Sequence, residues 1–319
     1  MQPLAAGISY FDLQLQGRPR IVASLVLHDT SGVAIIDPGP SSTLPVLREA
    51  LGSAGISLRD VSALVLTHIH LDHAGGTGTL VAEHPSLKVY VHENGAKHLV
   101  NPEKLLASAG RLYGSAMERL WGAVEPVPAS AISVLKGGER IREGGRVLDV
   151  AYTPGHASHH VSYFNADTGI AFVGDTAGVR LRPDGYGLPP TPPPDIDLEA
   201  WAASLDAITA WRPDTLFLTH FGPVASPDKH LAEFREHLAG TSALVRQSLV
   251  DVPNGSDESP DAPREAWFKE RIMLELRRRM SEEEARAYEV AARFDLNWRG
   301  LARYWRKKEP GIGGQITTR

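Results

Sequence analysis

Thr67-His68-Ile69-His70-Leu71-Asp72-His73 follows directly on the apolar run Ala63-Leu64-Val65-Leu66. The run reads as a buried β-strand. The stretch after it sets three imidazoles and one carboxylate within the six residues 68–73. Neutral imidazole and carboxylate are the donors that a borderline metal such as zinc takes. His68 and His70 stand two apart and share a face of an extended backbone. Asp72 and His73 can face a neighbouring point, so one loop can serve two adjacent ions.

A lone histidine after a strand would read as an ordinary polar loop residue. Here three later segments repeat the pattern. Arg146 to Tyr152 ends in Thr153-Pro154-Gly155-His156, Gly169 to Val173 ends in Gly174-Asp175-Thr176, and Asp214 to Leu218 ends in Thr219-His220-Phe221-Gly222-Pro223. Each is a short β-favouring run with a metal-ligand type at its C-terminal end, followed by turn residues. Strand ends that converge on one rim are a common way for α/β proteins to build a site.

With these pieces in hand, the chain resembles the metallo-β-lactamase fold superfamily of metallo-hydrolases. THIHLDH, TPGH, GDT and LTH stand in the family's order, over about residues 8 to 225. The resemblance implies a four-layer αββα sandwich with a dinuclear site along one edge, here followed by a small C-terminal helical appendage. It implies that His68, His70 and His156 hold one metal, that Asp72, His73 and His220 hold the second, and that Asp175 bridges. It further implies two divalent ions, zinc foremost, with iron or manganese as alternatives. A metal-bridging hydroxide would attack a small carbonyl substrate: a thioester as in glyoxalase II relatives, a lactone, or another activated ester or amide. Asp72 is also a candidate to orient that hydroxide or relay a proton. Asp175 favours this group over true β-lactamases of the fold, which typically lack the bridging carboxylate.

Two other chemistries occur on the same fold. A nuclease like RNase Z would turn the same ligands on phosphorus, but it needs a basic binding surface, and the chain carries a formal charge of −5. A mono-iron sulfur dioxygenase would leave the second group of ligands unused. The 319 residues contain no cysteine, which excludes thiol catalysis, disulfides and thiolate-held zinc. No G-x-S-x-G elbow, Walker A loop or G-x-G-x-x-G fingerprint is present. The N-terminus lacks a basic, then apolar, leader pattern. The apolar run Ile21 to Leu27 is far too short to span a bilayer. The expectation is a cytoplasmic enzyme of a small-molecule substrate, without nucleic-acid or membrane partners, with a homodimer open.

The rest of the chain frames the site. Residues 1–250 are expected to form the catalytic domain, 251–263 (DVPNGSDESPDAP) a linker, and 264–319 a helical region. Asp37-Pro38-Gly39 reads as a loop that organises the site without ligating. His160 has the same supporting role, and His28, His84, His92, His98, His230 and His237 lack a partner motif. Helices are expected over 43–54, from Ala74 onward, and over 198–211 with Asp197 as cap. Pro102 to Trp121 is expected to be helical and to wall the pocket. The loop Arg180 to Asp197, RLRPDGYGLPPTPPPDID, is expected to lie at the cleft, with Arg180, Arg182 and Tyr186 as substrate-contact candidates. Phe268, Ile272, Leu276 and Met280 mark an amphipathic C-terminal helix, and Trp298, Leu301 and Trp305 another. The tail from Pro310 to Arg319 is expected to be loose.

Overall fold

Near-continuous apolar runs such as Val33-Ala34-Ile35-Ile36 suit strands covered on both faces, and the computed structural model shows why. It describes residues 1–30, 32–183 and 185–314; the end of the C-terminal tail, 315–319, lies outside them. Seven strands make the first sheet in sequence order: β1 (Gln2–Ala5), β2 (Ile8–Asp12), β3 (Ala23–Asp29), β4 (Gly32–Ile36), β5 (Val61–Val65), β6 (Lys88–His92) and β7 (Ile132–Leu135). Six make the second: β8 (Arg140–Glu143), β9 (Arg146–Tyr152), β10 (Val161–Asn165), β11 (Ile170–Gly174), β12 (Thr215–Leu218) and β13 (Gly222–Val224).

Strand alternation splits the apolar residues between layers. Leu25, Ala34, Ile36, Ala63 and Val65 meet Phe172 and Phe217 in the core between the sheets. Val26, Ile35, Leu64 and Leu66 point outward under a helical layer. That layer comprises α1 (Leu44–Ser53), α2 (Leu71–Ala74), α3 (Thr77–Glu83), α4 (Glu93–Val100), α5 (Glu103–Tyr113) and α6 (Met117–Trp121). On the other side Ala171, Val173, Leu216 and Leu218 face the second helical layer. It comprises α7 (Leu198–Ala210), α8 (Pro227–Asp251), α9 (Ala262–Arg277), α10 (Glu282–Ala292) and α11 (Phe294–Lys308). The sandwich is therefore αββα, as expected.

Asp197 caps α7 by accepting the Ala200 N–H at 2.9 Å. The helix expected from Ala74 starts earlier, at Leu71, and breaks before Thr77. The break lets the backbone close on the Asp37 loop, where the Gly76 N–H donates to Gly39 O at 2.8 Å. Phe268, Ile272 and Leu276 of α9 and Trp298 and Leu301 of α11 share one apolar cluster with Leu231, Phe234 and Val245 of α8. The last three helices thus pack with α8 inside the second layer. Among the described residues no helix is long and apolar enough to cross a membrane.

Candidate metal centre

The site forms where β5, β9, β11 and β12 end. Leu66 O accepts the Tyr163 hydroxyl at 2.6 Å, and Thr67 O accepts the Val161 N–H at 2.8 Å, so the loop after β5 is tied across to the second sheet. Two glycines permit the close approach. A Cβ on Gly155, at φ +134°, would stand 2.4 Å from the Trp201 backbone. One on Gly174, at φ +49°, would stand 2.5 Å from His160 Nε2 and 2.7 Å from Thr67 Oγ1.

All seven expected side chains come together. Donor atoms of His68, His70, His156 and Asp175 lie within 4.8 Å of one another, and so do those of Asp72, His73 and His220. Asp175 spans the two groups. Its Oδ2 is 3.3 Å from His156 Nε2, and its Oδ1 is 3.2 Å from His73 Nε2 and 3.4 Å from His220 Nε2. Asp72 Oδ2 lies 3.4 Å from His220 Nε2.

Hydrogen bonds set the tautomers. His156 Nδ1–H donates to Pro190 O at 2.8 Å, and His220 Nδ1–H to Ile21 O at 2.6 Å. His73 Nδ1–H donates to Asp37 Oδ2 at 2.8 Å. The Thr67 hydroxyl donates to Asp37 Oδ2 at 2.7 Å, so its oxygen accepts from His68 Nδ1–H at 3.1 Å. Four rings thereby turn Nε2 inward, the atom a metal ligand must present. His70 instead turns Nδ1 inward, 2.9 Å from His156 Nε2. His68 Nε2, His73 Nε2 and Asp175 Oδ1 are buried with no hydrogen-bond partner among the described residues. Ion-pair distance separates the last two, yet their geometry makes no hydrogen bond. Buried polar atoms normally find partners, and divalent ions between the two groups fit these orphans and this donor set.

Charge divides the groups. Burial, with neighbouring imidazoles adding to it, holds His68 well below the usual histidine range and lowers His70 to about 4. Burial also lowers His156, although Asp175 opposes it. His73 and His220 are equally buried, but Asp175 and Asp72 outweigh that and raise both. Burial would raise the carboxyls of Asp72 and Asp175; His73 and His220 reverse this and lower both.

Supporting residues behave as their sequence positions imply. Asp37, in the left-handed region at φ 51°, a region aspartate tolerates, accepts from the Thr67 N–H, the Thr67 and Thr219 hydroxyls and His73. His160 Nε2 accepts the Asp175 N–H at 3.2 Å.

A cavity of about 570 Å³ opens over the metal residues. Leu105, Leu112 and Tyr113 of α5 and Trp121 of α6 wall it, as the 102–121 segment was expected to do. Arg180, Arg182 and Tyr186 do not; they line a separate cavity with His230 and Tyr288. Val179 pairs with Leu188, which closes the intervening residues into an excursion that returns to the site only at Pro190. Two groups of wall residues were not singled out from sequence: Lys97, His98 and Lys104 on one side, and Arg293, Leu296 and Asn297 on the other. Lone basic residues and a core-like helical stripe gave no signal for either.

The chain belongs to the metallo-beta-lactamase superfamily, whose family model matches residues 17–220. It is 29% identical over 221 residues to a metallo-beta-lactamase fold-containing protein of Sulfurisphaera tokodaii, covering 67% of this chain and 79% of that protein. It is 29% identical over 242 residues to the hydroxyacylglutathione hydrolase of Aeromonas hydrophila, 72% of this chain and 75% of that one. Against the hydroxyacylglutathione hydrolase of a Synechococcus strain the identity is 31% over 153 residues, and the chain spans about half of that relative, 47% of each. Among solved structures, the metallo-beta-lactamase family protein of Thermus thermophilus shares the fold with a TM-score of 0.72 at 21% identity, over 96% of this chain and 95% of that one.

Proposed function

We propose that this chain is a dinuclear, zinc-dependent hydrolase of small activated carbonyl compounds, with thioesters foremost and lactones and other activated esters or amides in the same class. The observation that carries the reading is the convergence of inward Nε2 atoms around Asp175 at two adjoining groups. Hydroxyacylglutathione hydrolases among the relatives support a thioester within the class. Bound at the two groups, divalent ions would supply an activated hydroxide at neutral pH and polarise the carbonyl oxygen.

The chain's own residues hold and shield that chemistry. Asp37, Pro190 and Ile21 keep His73, His156 and His220 in the ligating tautomer. Asp175 lies between the groups and offsets their positive charge. His73 and His220 lower the Asp72 carboxyl against its burial, and at 24% side-chain exposure it is more open than Asp175 at 5%. Ligation is its first role, because a lowered carboxyl is a weak base; proton relay is its second. Leu105, Leu112 and Leu296 give the cavity apolar walls that exclude water around the acyl part.

The mouth adds a charge preference. Lys97, His98 and Lys104 line the same cavity, and Asp195 is the only carboxylate among its lining residues besides Asp72 and Asp175. This arrangement suits a substrate with an anionic end. The double variant Lys97→Glu/Lys104→Glu is expected to raise KM for an anionic thioester about tenfold, taking up to about 1 kcal/mol for each exposed pair lost. It should leave kcat, and KM for a neutral ester, near the wild-type values. Equal effects on both substrates would remove the charge argument.

Elemental analysis of protein purified without chelator, followed by a thioester, lactone and phosphodiester panel, tests the proposal. Two divalent ions per chain are expected, with thioester hydrolysis that chelator abolishes and zinc restores. One iron per chain, or faster phosphodiester cleavage, would overturn it. A cavity of about 570 Å³ whose basic lining residues are Lys97, His98, Lys104 and Arg293 does not favour a nucleic-acid chain, which calls for an extended cationic surface.

A further inference from the structure

The carbonyl that orients His156 belongs to an unusual piece of backbone. Pro189-Pro190-Thr191-Pro192-Pro193-Pro194 has a single N–H, that of Thr191. Such a segment cannot be held by a helix or by a regular strand ladder. It still has to present Pro190 O to His156 Nδ1 at 2.8 Å, the contact that turns His156 Nε2 toward Asp175 and His70.

Helix α11 supplies the anchor. Asn297 Oδ1 accepts the Thr191 N–H at 2.8 Å, and Asn297 Nδ2 donates to Pro189 O at 3.2 Å. One side chain therefore grips the backbone immediately before and immediately after Pro190. The Thr191 hydroxyl donates to Asn297 O at 3.1 Å, completing the clamp. Thr191 and Asn297 are both buried, at 0% and 1% exposure, so water does not substitute for these bonds. One turn on, Gly300 lies against the same segment, where a Cβ would stand 2.0 Å from Thr191 O and 2.8 Å from the Pro192 carbonyl carbon. Glycine inside a helix costs about 1 kcal/mol relative to alanine, and here it permits the close approach.

We infer that Asn297 is a positioning residue for the metal centre: through the Pro189–Thr191 backbone it fixes the orientation and tautomer of His156, which makes the C-terminal helix a part of the site. The inference rests on the proposed metal-binding role of His156. Partners that hold a ligating imidazole typically change metal affinity 10- to 100-fold when lost. Asn297 acts one step further out, so the lower end of that range applies.

Full-length wild type, Asn297→Ala, Asn297→Asp, Trp298→Phe and His156→Ala are stripped of metal and titrated with Co2+. Visible ligand-field absorption reports binding and geometry, and thermal unfolding of the stripped proteins reports stability. Trp298 is the structural control, because it is buried in α11 and bonds Ser248 Oγ at 2.8 Å, away from the proline segment. Asn297→Ala is expected to weaken one of two Co2+ equivalents about tenfold and to change its spectrum. Asn297→Asp keeps the acceptor for Thr191 and should fall between; it carries the comparison should Asn297→Ala not fold. Trp298→Phe should lower the unfolding temperature with both affinities unchanged. Wild-type Co2+ binding in the Asn297 variants, beside weakened binding in His156→Ala, would overturn the inference and leave the metal reading intact. An equal loss of affinity in Trp298→Phe would also overturn it, by making the effect one of general stability. Two-ion binding that survives in His156→Ala would overturn both.

Discussion

His70→Ala is expected to lower turnover by on the order of 10³-fold or more, because it removes a donor that only the metal centre uses. The half-buried His70 ring makes one hydrogen-bond contact, Nδ1 to His156 Nε2 at 2.9 Å. It starts α2 without capping it through the side chain. Nothing in the sandwich core depends on it, so stripped protein should unfold within a few degrees of stripped wild type. The metal-loaded proteins should differ much more. An ion that binds only the folded state stabilises it by RT ln(1 + [L]/Kd), about 2.7 kcal/mol at a hundredfold excess over Kd. Much of that difference disappears when one of the two groups is broken. Calorimetry with and without zinc, beside metal analysis, checks both halves. Full activity with one ion missing would sink the proposed mechanism, and a large fall in stripped stability would show that His70 is structural.

The ligand set could be read from sequence because each ligand sits two to seven residues beyond a strand-like run, and strand ends in a sandwich are brought together by the sheets themselves. Asp37 was legible for the same reason, as a turn after the Val33-Ala34-Ile35-Ile36 strand. The other walls of the cavity follow from contacts across long sequence separations. Asn297 reaches back 106 residues to Thr191, and its helix reads as a core stripe because Trp298 and Leu301 are indeed core. Position also misled for Arg182 and Tyr186. They follow Asp175 closely, but Tyr288 draws their excursion onto α10, donating to Tyr186 O at 2.7 Å and accepting the Leu181 N–H at 3.3 Å. Proximity in sequence to a ligand predicts where a loop begins, and pairing along the loop decides where it goes.

Asp37→Ala should produce a large loss of stability although the residue lies outside the metal groups. Asp37 is 1% exposed and accepts four hydrogen bonds, from the Thr67 N–H and hydroxyl, the Thr219 hydroxyl and His73 Nδ1–H. Alanine leaves all four donors buried. Breaking a buried charged network costs about 3–5 kcal/mol, or roughly 5–7 °C in unfolding temperature for a chain of this size. Asp37→Asn separates the structural from the electronic part. Its oxygen can still accept from Thr67 Oγ1, Thr219 and His73, while its NH₂ then opposes the Thr67 N–H. The cost should be less than half that of alanine. What it removes completely is the negative charge behind His73, which makes that imidazole a weaker donor. Zinc affinity at the Asp72, His73 and His220 group is therefore expected to fall 10- to about 100-fold, with the other group less affected. Calorimetry of stripped protein and zinc titration of both variants check this. A stripped Asp37→Ala protein that melts with wild type would show that the four bonds do not hold the loops, and unchanged zinc affinity in Asp37→Asn would show that His73 needs only a hydrogen-bond acceptor behind it, not a charge.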